Sequence, residues 1–306
     1  MPNTINFDRV CLIGVGLIGS SLVLAIRENN LSKEIIGFDL NDKALIQAKS
    51  LGIIDEARNS LDEAVENADL IIIATPVGAS SEIIHTLSKN KTTALIIDVG
   101  SVKATIVDAA QAVGKDLTIV PCHPIAGTEQ SGPEAGFARL FNDRWCIVTP
   151  LPRTDDAYRR ATETAAALWR AVGSKVEIMD AAHHDLALAV TSHLPHLIAF
   201  TLVGAADDLE NVNEAEIVKY SAGGFRDFTR IAASDPVMWR DVFLGNKEAV
   251  LEVLGRFSEE LSILQRAIRW GDAQTLEQSF SRGRRLRRAI VEAGQETGKP
   301  NFGRDR

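Results

Sequence analysis

Arg9-Val10-Cys11-Leu12-Ile13-Gly14-Val15-Gly16-Leu17-Ile18-Gly19-Ser20-Ser21 is the stretch whose reading decides the fold. A short apolar run with strand character ends in G-x-G-x-x-G and passes straight into an apolar helix over residues 22–27. In that context the glycines permit a tight turn, a close approach of backbone to a pyrophosphate and close packing of helix on strand. The helix N-terminus favours the phosphate charge. Gly14, Gly16, Leu17, Ile18 and Gly19 are therefore expected to line a dinucleotide. The second strand, over 34–38, ends in Asp39, twenty residues past Gly19, where a carboxylate can take both ribose hydroxyls of an adenosine. It would repel a 2′-phosphate, and no Arg follows closely, so NAD is expected rather than NADP. The plainer alternative for Asp39 is a loop-capping carboxylate. Lys43 is the one residue that could soften the cofactor preference.

Outward from this unit the strand–helix alternation continues. Helices are expected over 42–51, 61–67, 80–87 and 104–112, and strands near 52–54 and over 69–74, 94–98 and 117–120. The run Leu70-Ile71-Ile72-Ile73 is apolar throughout, as in strands buried on both faces. Loops at the carboxyl ends of such strands line the ligand crevice of a doubly wound sheet, which places Thr75, Pro76, Ser101 and His123 around one cleft. Ser101 is expected to touch His123, to cap the following helix, or both. Lys103 is expected on the surface. His123 stands in Val120-Pro121-Cys122-His123-Pro124-Ile125-Ala126-Gly127-Thr128-Glu129, an imidazole between two prolines. That composition predicts a stiff polar loop where cofactor and substrate meet, with His123 as general base and Thr128 and Glu129 beside the substrate.

Further strands are expected over 145–150 and 175–179, joining the sheet, with a helix over 155–172 between them. No convincing strand follows. The reading is thus α/β: a Rossmann-type dinucleotide-binding domain over 1–179 and an all-helical substrate and dimerisation domain over 180–306. Helices are expected over 181–206, 214–220, 228–233, 236–245, 247–269 and 273–292, with a glycine-broken turn at 222–225. With 33 Lys+Arg against 41 Asp+Glu the chain carries −8, which argues against generic nucleic-acid or anionic-membrane binding. The basic run at 282–288 is read as a solvated helix face. Three cysteines without C-x-x-C spacing and an N-terminus without a basic-then-apolar leader point to a reducing cytoplasm. The span 186–206 lacks Asp, Glu, Lys and Arg and is long enough to cross a bilayer, but its central Ser192, His193, Pro195 and His196 argue for a helix buried at a domain or subunit core.

His193 and His196 lie three residues apart on one helix face, with Pro195 opening the backbone beside them. His184-Asp185 lies about two and a half turns earlier on roughly the same side. Metal binding is weighed and set aside, because the spacing is not i,i+4 and no cysteine joins it. Arg230 is suited to a bidentate grip on a substrate carboxylate and Arg226 to a bridge, and Trp239, in the segment that follows, is expected to bind substrate. The apolar helix also predicts a homodimer through the helical domain, with Asp185 and Arg226 as a candidate ionic contact across it.

Five motifs occur in the order seen in the prephenate/arogenate dehydrogenase family, and together they resemble it over roughly residues 9 to 270. They are Gly14 to Ser21, Asp98-Val99-Gly100-Ser101-Val102-Lys103, His123 to Glu129, Ser192 to His196 and Gly223 to Arg230. The resemblance implies NAD-dependent oxidative decarboxylation of a cyclohexadienol in tyrosine biosynthesis. His123 matches the family's catalytic histidine and Ser101 its hydrogen-bonding partner. Arg230 resembles the residue that binds the ring carboxylate, and His193 and His196 resemble pocket histidines. A histidine at position 196 that donates to a side-chain carbonyl would favour prephenate over arogenate. The leftover length suits a monofunctional form. The alternatives are another Rossmann-fold hydroxyacid dehydrogenase, which would usually want a lysine base on the long helix where 187–200 has none, and a non-enzymatic NAD-binding sensor.

Overall fold

The computed structural model describes residues 5–128, 130–208 and 219–292. Strand β1 (Phe7–Ile13) leads into helix α1 (Leu17–Glu28), then β2 (Ser32–Phe38), α2 (Asp42–Ser50), β3 (Glu56–Ala57), α3 (Leu61–Val65), β4 (Leu70–Ile73), α4 (Val77–Lys89), β5 (Leu95–Asp98), α5 (Ala104–Ala112) and β6 (Thr118–Val120). These strands form one parallel sheet in the order β3-β2-β1-β4-β5-β6. The order reverses between β1 and β4, and the crevice above that switch point is where doubly wound sheets take ligands. Helices cover both faces, so the central strands read as unbroken apolar runs. Val10 to Ile13, Leu70 to Ile73 and Ile96-Ile97 are buried and form the heart of the core.

The short third strand forms at Glu56–Ala57 rather than near 52–54; Ile53 and Ile54 are buried instead, and Ile54 packs on Gly37. The expected His123 loop is a strand. β7 (Cys122–Pro124) pairs antiparallel with β8 (Trp145–Val148), which pairs in parallel with β9 (Lys175–Ile178), after helix α6 (Asp156–Ala171). These three make a second small sheet and do not extend the first. Proline closes β7 where pairing stops, an edge position that tolerates its missing N–H.

The expected long helix is broken. α7 (Ala181–Leu188) passes through a π-helical turn, Ala189–His193, into α8 (Leu194–Asp207). Pro195 lacks the N–H that would bond the Thr191 carbonyl, so regular helix cannot run through. The π turn widens the backbone there, a feature frequent at functional sites. Next come α9 (Gly223–Thr229), a 3-10 turn at Arg230–Ala233, α10 (Pro236–Gly245), α11 (Lys247–Trp270) and α12 (Ala273–Glu292). Gly223 and Gly224 begin α9 rather than breaking the chain, and most of the helix expected over 214–220 lies outside the described residues. The chain divides into two compact units, Met1–Lys247 and Glu248–Arg306. A second apolar cluster within the first unit joins Val77 and Val102 to Trp239 and Val242, with Phe200 and Phe243 packed on it.

Candidate active site

The three glycines of the turn divide their work. Gly14 has φ +95°, and a Cβ there would lie 2.6 Å from the Ala74 carbonyl oxygen, so only glycine makes this turn. At Gly19 a Cβ would lie 2.5 Å from the Gly14 oxygen and 2.9 Å from Leu12 Cδ1, which marks the close packing of α1 on β1. At Gly16 a Cβ meets nothing within 4 Å. That glycine faces open space at the start of α1, a helix with no side-chain cap and no acidic residue in its first turn. Leu17 and Ile18 turn their side chains toward the core and leave backbone N–H groups for a ligand. An uncapped, positively polarised helix end above an open glycine fits a pyrophosphate. Asp39 accepts hydrogen bonds from Val15 N (2.9 Å) and Asn41 N (2.9 Å), which tie the end of β2 to the glycine turn. Beside the turn, at the end of β4, Thr75 has a buried Oγ1 without a partner, and Pro76 precedes the equally uncapped α4. These residues fit an NAD that supplies their missing partners.

His123 lies on β7 at the far side of this crevice and keeps only 9% of its surface exposed. Its Nδ1 is 2.8 Å from His184 Nε2, and His184 Nδ1 is 2.7 Å from Asp185 Oδ1. Asp185 accepts further from Lys103 N (2.9 Å) at Oδ1 and from Ala104 N (2.8 Å) at Oδ2, so it caps the start of α5 from α7. Burial would raise the Asp185 carboxyl, but the hydrogen bonds from His184 and these two N–H groups outweigh it and hold the carboxyl below its usual value. Its carboxylate is thereby consumed inside the chain, which corrects its assignment to a contact between subunits. Burial, helped by the neighbouring Lys103 ammonium, pushes the His123 pKa well below the ordinary histidine range, so His123 is neutral at pH 7.

Lys103 is fully buried, against the expectation of a surface residue. Its ammonium is paired with Asp98 and donates to the Cys122 carbonyl at 2.7 Å, while Asp98 Oδ1 accepts from Cys122 N at 3.1 Å. The pair thus clamps the residue before His123 from both of its backbone polar groups. Ser101 makes no hydrogen bond to His123 and does not cap α5, whose start has no side-chain cap of its own; the Nδ1 of His123 faces His184 instead. Ser101 sits half-buried beside the crevice.

His193 and His196 form a second group, around Trp239. His193 keeps 1% of its surface exposed, and its Nδ1 lies 3.0 Å from Asn246 Nδ2. Asn246 Nδ2 also donates to the Asp185 carbonyl (2.8 Å), which identifies it as the amide nitrogen and makes His193 Nδ1 an acceptor. The proton of His193 is therefore on Nε2, which is buried without a partner, as is Trp239 Nε1. Burial drives the His193 pKa down to about 4. His196 stacks on Trp239 with ring centroids 3.7 Å apart, and its Nδ1 donates to the Ser192 carbonyl at 2.8 Å. Burial lowers its pKa as well. Neutral His196 therefore offers a lone pair at Nε2, so the expectation that it donates to a carbonyl is reversed.

Arg230 is exposed at the head of the 3-10 turn, which packs on α8. Thr128 spends its hydroxyl locally, accepting from Gln130 N at 3.2 Å, and Glu129 lies outside the described residues. Sequence reasoning missed Asn246, placed Lys103 on the surface, and considered His184 and Asp185 only for a metal and a subunit contact, not as partners of His123. The one available signal was two adjacent polar residues opening an otherwise apolar helix.

Residues 22–178 match the family model of the prephenate dehydrogenase nucleotide-binding domain, and residues 180–282 that of the prephenate dehydrogenase dimerization domain. The chain belongs to the prephenate dehydrogenase family. Within that family it is 38% identical to the cyclohexadienyl dehydrogenase of Zymomonas mobilis, over 93% of this chain and 96% of that one. It is 36% identical to the prephenate dehydrogenase of Bacillus subtilis, over 89% and 73% of the two chains. Among solved structures it resembles the prephenate dehydrogenase of Aquifex aeolicus in complex with hydroxyphenyl propionate and NAD+, with a TM-score of 0.83 and 35% identity over 93% of this chain and 98% of that one.

Proposed function

We propose that this protein oxidatively decarboxylates prephenate to 4-hydroxyphenylpyruvate, using NAD, and accepts arogenate as well. The observation that carries the reading is His123: a neutral, buried imidazole across the crevice from an open glycine turn, with Nδ1 engaged and no partner for Nε2 among the described residues. The family supports the substrate class. Bound NAD supplies the hydride acceptor. His123 Nε2 takes the ring hydroxyl proton as hydride leaves the same carbon, so the oxygen becomes a carbonyl. The bond to the ring carboxylate then breaks, carbon dioxide departs, and its electron pair makes the ring aromatic.

Residues 1–179 hold the cofactor in this reading and residues 180–306 hold the substrate and the dimer contact. His193 Nε2–H and Trp239 Nε1–H, both buried donors without partners, suit substrate oxygens. Arg230 grips the ring carboxylate. Leu186, Val190, Leu202 and Val203 are exposed along α7, the π turn and α8, so the apolar helix is left uncovered among the described residues and is assigned to a homodimer. Three buried, unpaired cysteines accord with a reducing cytoplasm.

The test is incubation of the protein with NAD and prephenate, following NADH absorbance, with His123→Asn beside it. The variant is expected to bind NAD and lose about a hundredfold to ten-thousandfold in turnover. No NADH from wild type with either prephenate or arogenate would remove the assignment, and near wild-type turnover in the variant would remove His123 as base.

A further inference from the structure

A base at His123 needs a bare Nε2, and a neutral imidazole carries its one proton on either nitrogen. Which one is settled by what the other nitrogen faces. Asp185 lies at the end of a chain of contacts that answers this. Its carboxylate receives two backbone N–H groups, from Lys103 and Ala104, and so stands as an acceptor toward His184. His184 Nδ1, 2.7 Å away, must then carry the proton. In the neutral ring this leaves His184 Nε2 as a lone pair, 2.8 Å from His123 Nδ1. His123 must donate there, and its only proton is spent at Nδ1.

We infer that His184 and Asp185 are positioning residues that hold His123 in the tautomer with a bare Nε2. The inference rests on the reading of His123 as the base and adds how that base is prepared. When Nε2 takes the substrate hydroxyl proton, the new imidazolium keeps its Nδ1–H pointed at the His184 lone pair, and the His184 Nδ1–H stays on the Asp185 carboxylate. No proton need leave the chain of contacts, and the positive charge is formed two hydrogen bonds from a fixed anion. The geometry places the base on β7, the relay on α7 and the anchoring N–H groups at the start of α5. Lys103 extends the arrangement at both ends, since its backbone N–H fixes Asp185 and its ammonium fixes the Cys122 carbonyl.

The arrangement is tested on the whole protein saturated with NAD. Nitrogen-15 spectra of histidine-labelled wild type are expected to show His123 and His184 both protonated at Nδ1 and bare at Nε2. His184→Leu removes the acceptor and is expected to lower kcat by about tenfold to a hundredfold, short of the whole worth of a general base, with KM for prephenate changed less than threefold. His184→Gln keeps an acceptor oxygen toward His123 and is expected to recover most of the loss. NAD titration of each variant reports that the crevice is intact. A His123 ring protonated at Nε2 in wild type, as a cationic His184 would impose, overturns the inference irrespective of how the variants fold. So does a His184→Leu enzyme with wild-type kcat. Loss of activity in His123→Asn together with unchanged activity in His184→Leu would sink the relay and leave the base standing, whereas an active His123→Asn sinks both.

Discussion

Gly16→Ala and Gly19→Ala separate the cofactor role of the glycine turn from its packing role. Gly16 sits at φ −74° and ψ −174°, a backbone any residue adopts, and a methyl there meets nothing within 4 Å. Alanine should therefore leave the fold intact and, by reducing the freedom of the unfolded chain, add about 0.4–1 kcal/mol of stability. The same methyl fills the space over the start of α1 where a phosphate oxygen would reach the N–H groups. Losing one such charge-assisted hydrogen bond costs about 1.5–3 kcal/mol, which is about a tenfold to hundredfold weaker Kd for NAD. At Gly19 the contacts run the other way. The methyl would lie 2.5 Å from a backbone oxygen, 2.8 Å from Ala74 Cβ and 2.9 Å from Leu12 Cδ1, so β1 and α1 must part. Overpacking of this kind costs about 1–3 kcal/mol. Denaturant midpoints and calorimetric titration with NAD on the two variants give both quantities. If Gly16→Ala binds NAD as tightly as wild type, the pyrophosphate does not pass over Gly16 and the cradle has been misplaced.

Three further outcomes are expected. Asp39→Ala should weaken NAD and narrow its advantage over NADP; because Asp39 also holds Val15 N and Asn41 N, the ratio of the two dissociation constants decides, and an unchanged ratio removes Asp39 from the ribose. Acid should destabilise the protein through His193, whose pKa is about 4 when folded against about 6.5 unfolded. The stability gained from keeping it neutral is present above pH 6.5 and is lost as pH falls toward 4, by about 3 kcal/mol at about 1.36 kcal/mol per pH unit. Urea midpoints of wild type and His193→Gln that fall in parallel over this range would refute the assignment. His196→Phe keeps a ring stacked on Trp239 but removes the Nε2 lone pair, which suits the ammonium of arogenate. Its kcat/KM should fall more for arogenate than for prephenate, and equal losses would show that His196 does not read the side chain.

What could be read in the sequence is what depends on near neighbours along the chain. The glycine turn and the apolar strands are each specified by spacing within one strand–helix–strand unit, and the parallel sheet follows from their alternation. Where an assignment depended on distant partners it went astray. His123 and His184 are separated by 61 residues and Lys103 and Asp185 by 82, so no local pattern announces that they meet. The Pro-flanked His123 segment reads as loop because proline is rare in strands, yet β7 needs only one neighbour, β8, and its prolines fall where pairing ends. Lys103 reads as surface because isolated lysine seldom lies inside; the buried Asp98 that offsets its charge stands five residues earlier, across the crevice loop.

The reassignment of Asp185 also changes what can hold two subunits together. An acid opening an apolar helix looks like the ionic end of an interface, but its two oxygens already take two backbone N–H groups and a histidine within its own chain. A second chain could recruit it only by uncapping α5 and releasing His184, a loss of buried hydrogen bonds that a surface ion pair of about 0–1 kcal/mol does not offset. In the proposed homodimer the attraction between subunits is then assigned to the apolar residues exposed along α7, the π turn and α8, Leu186, Val190, Leu202 and Val203. Leu186 adjoins Asp185, and Val190 lies in the π turn three residues before His193. A partner seated on that face would press directly on the helix that carries the relay and the pocket histidines. In that arrangement, subunit association and the orientation of His123 are properties of one helix, and a substitution that weakens the dimer at Leu186 should also lower turnover.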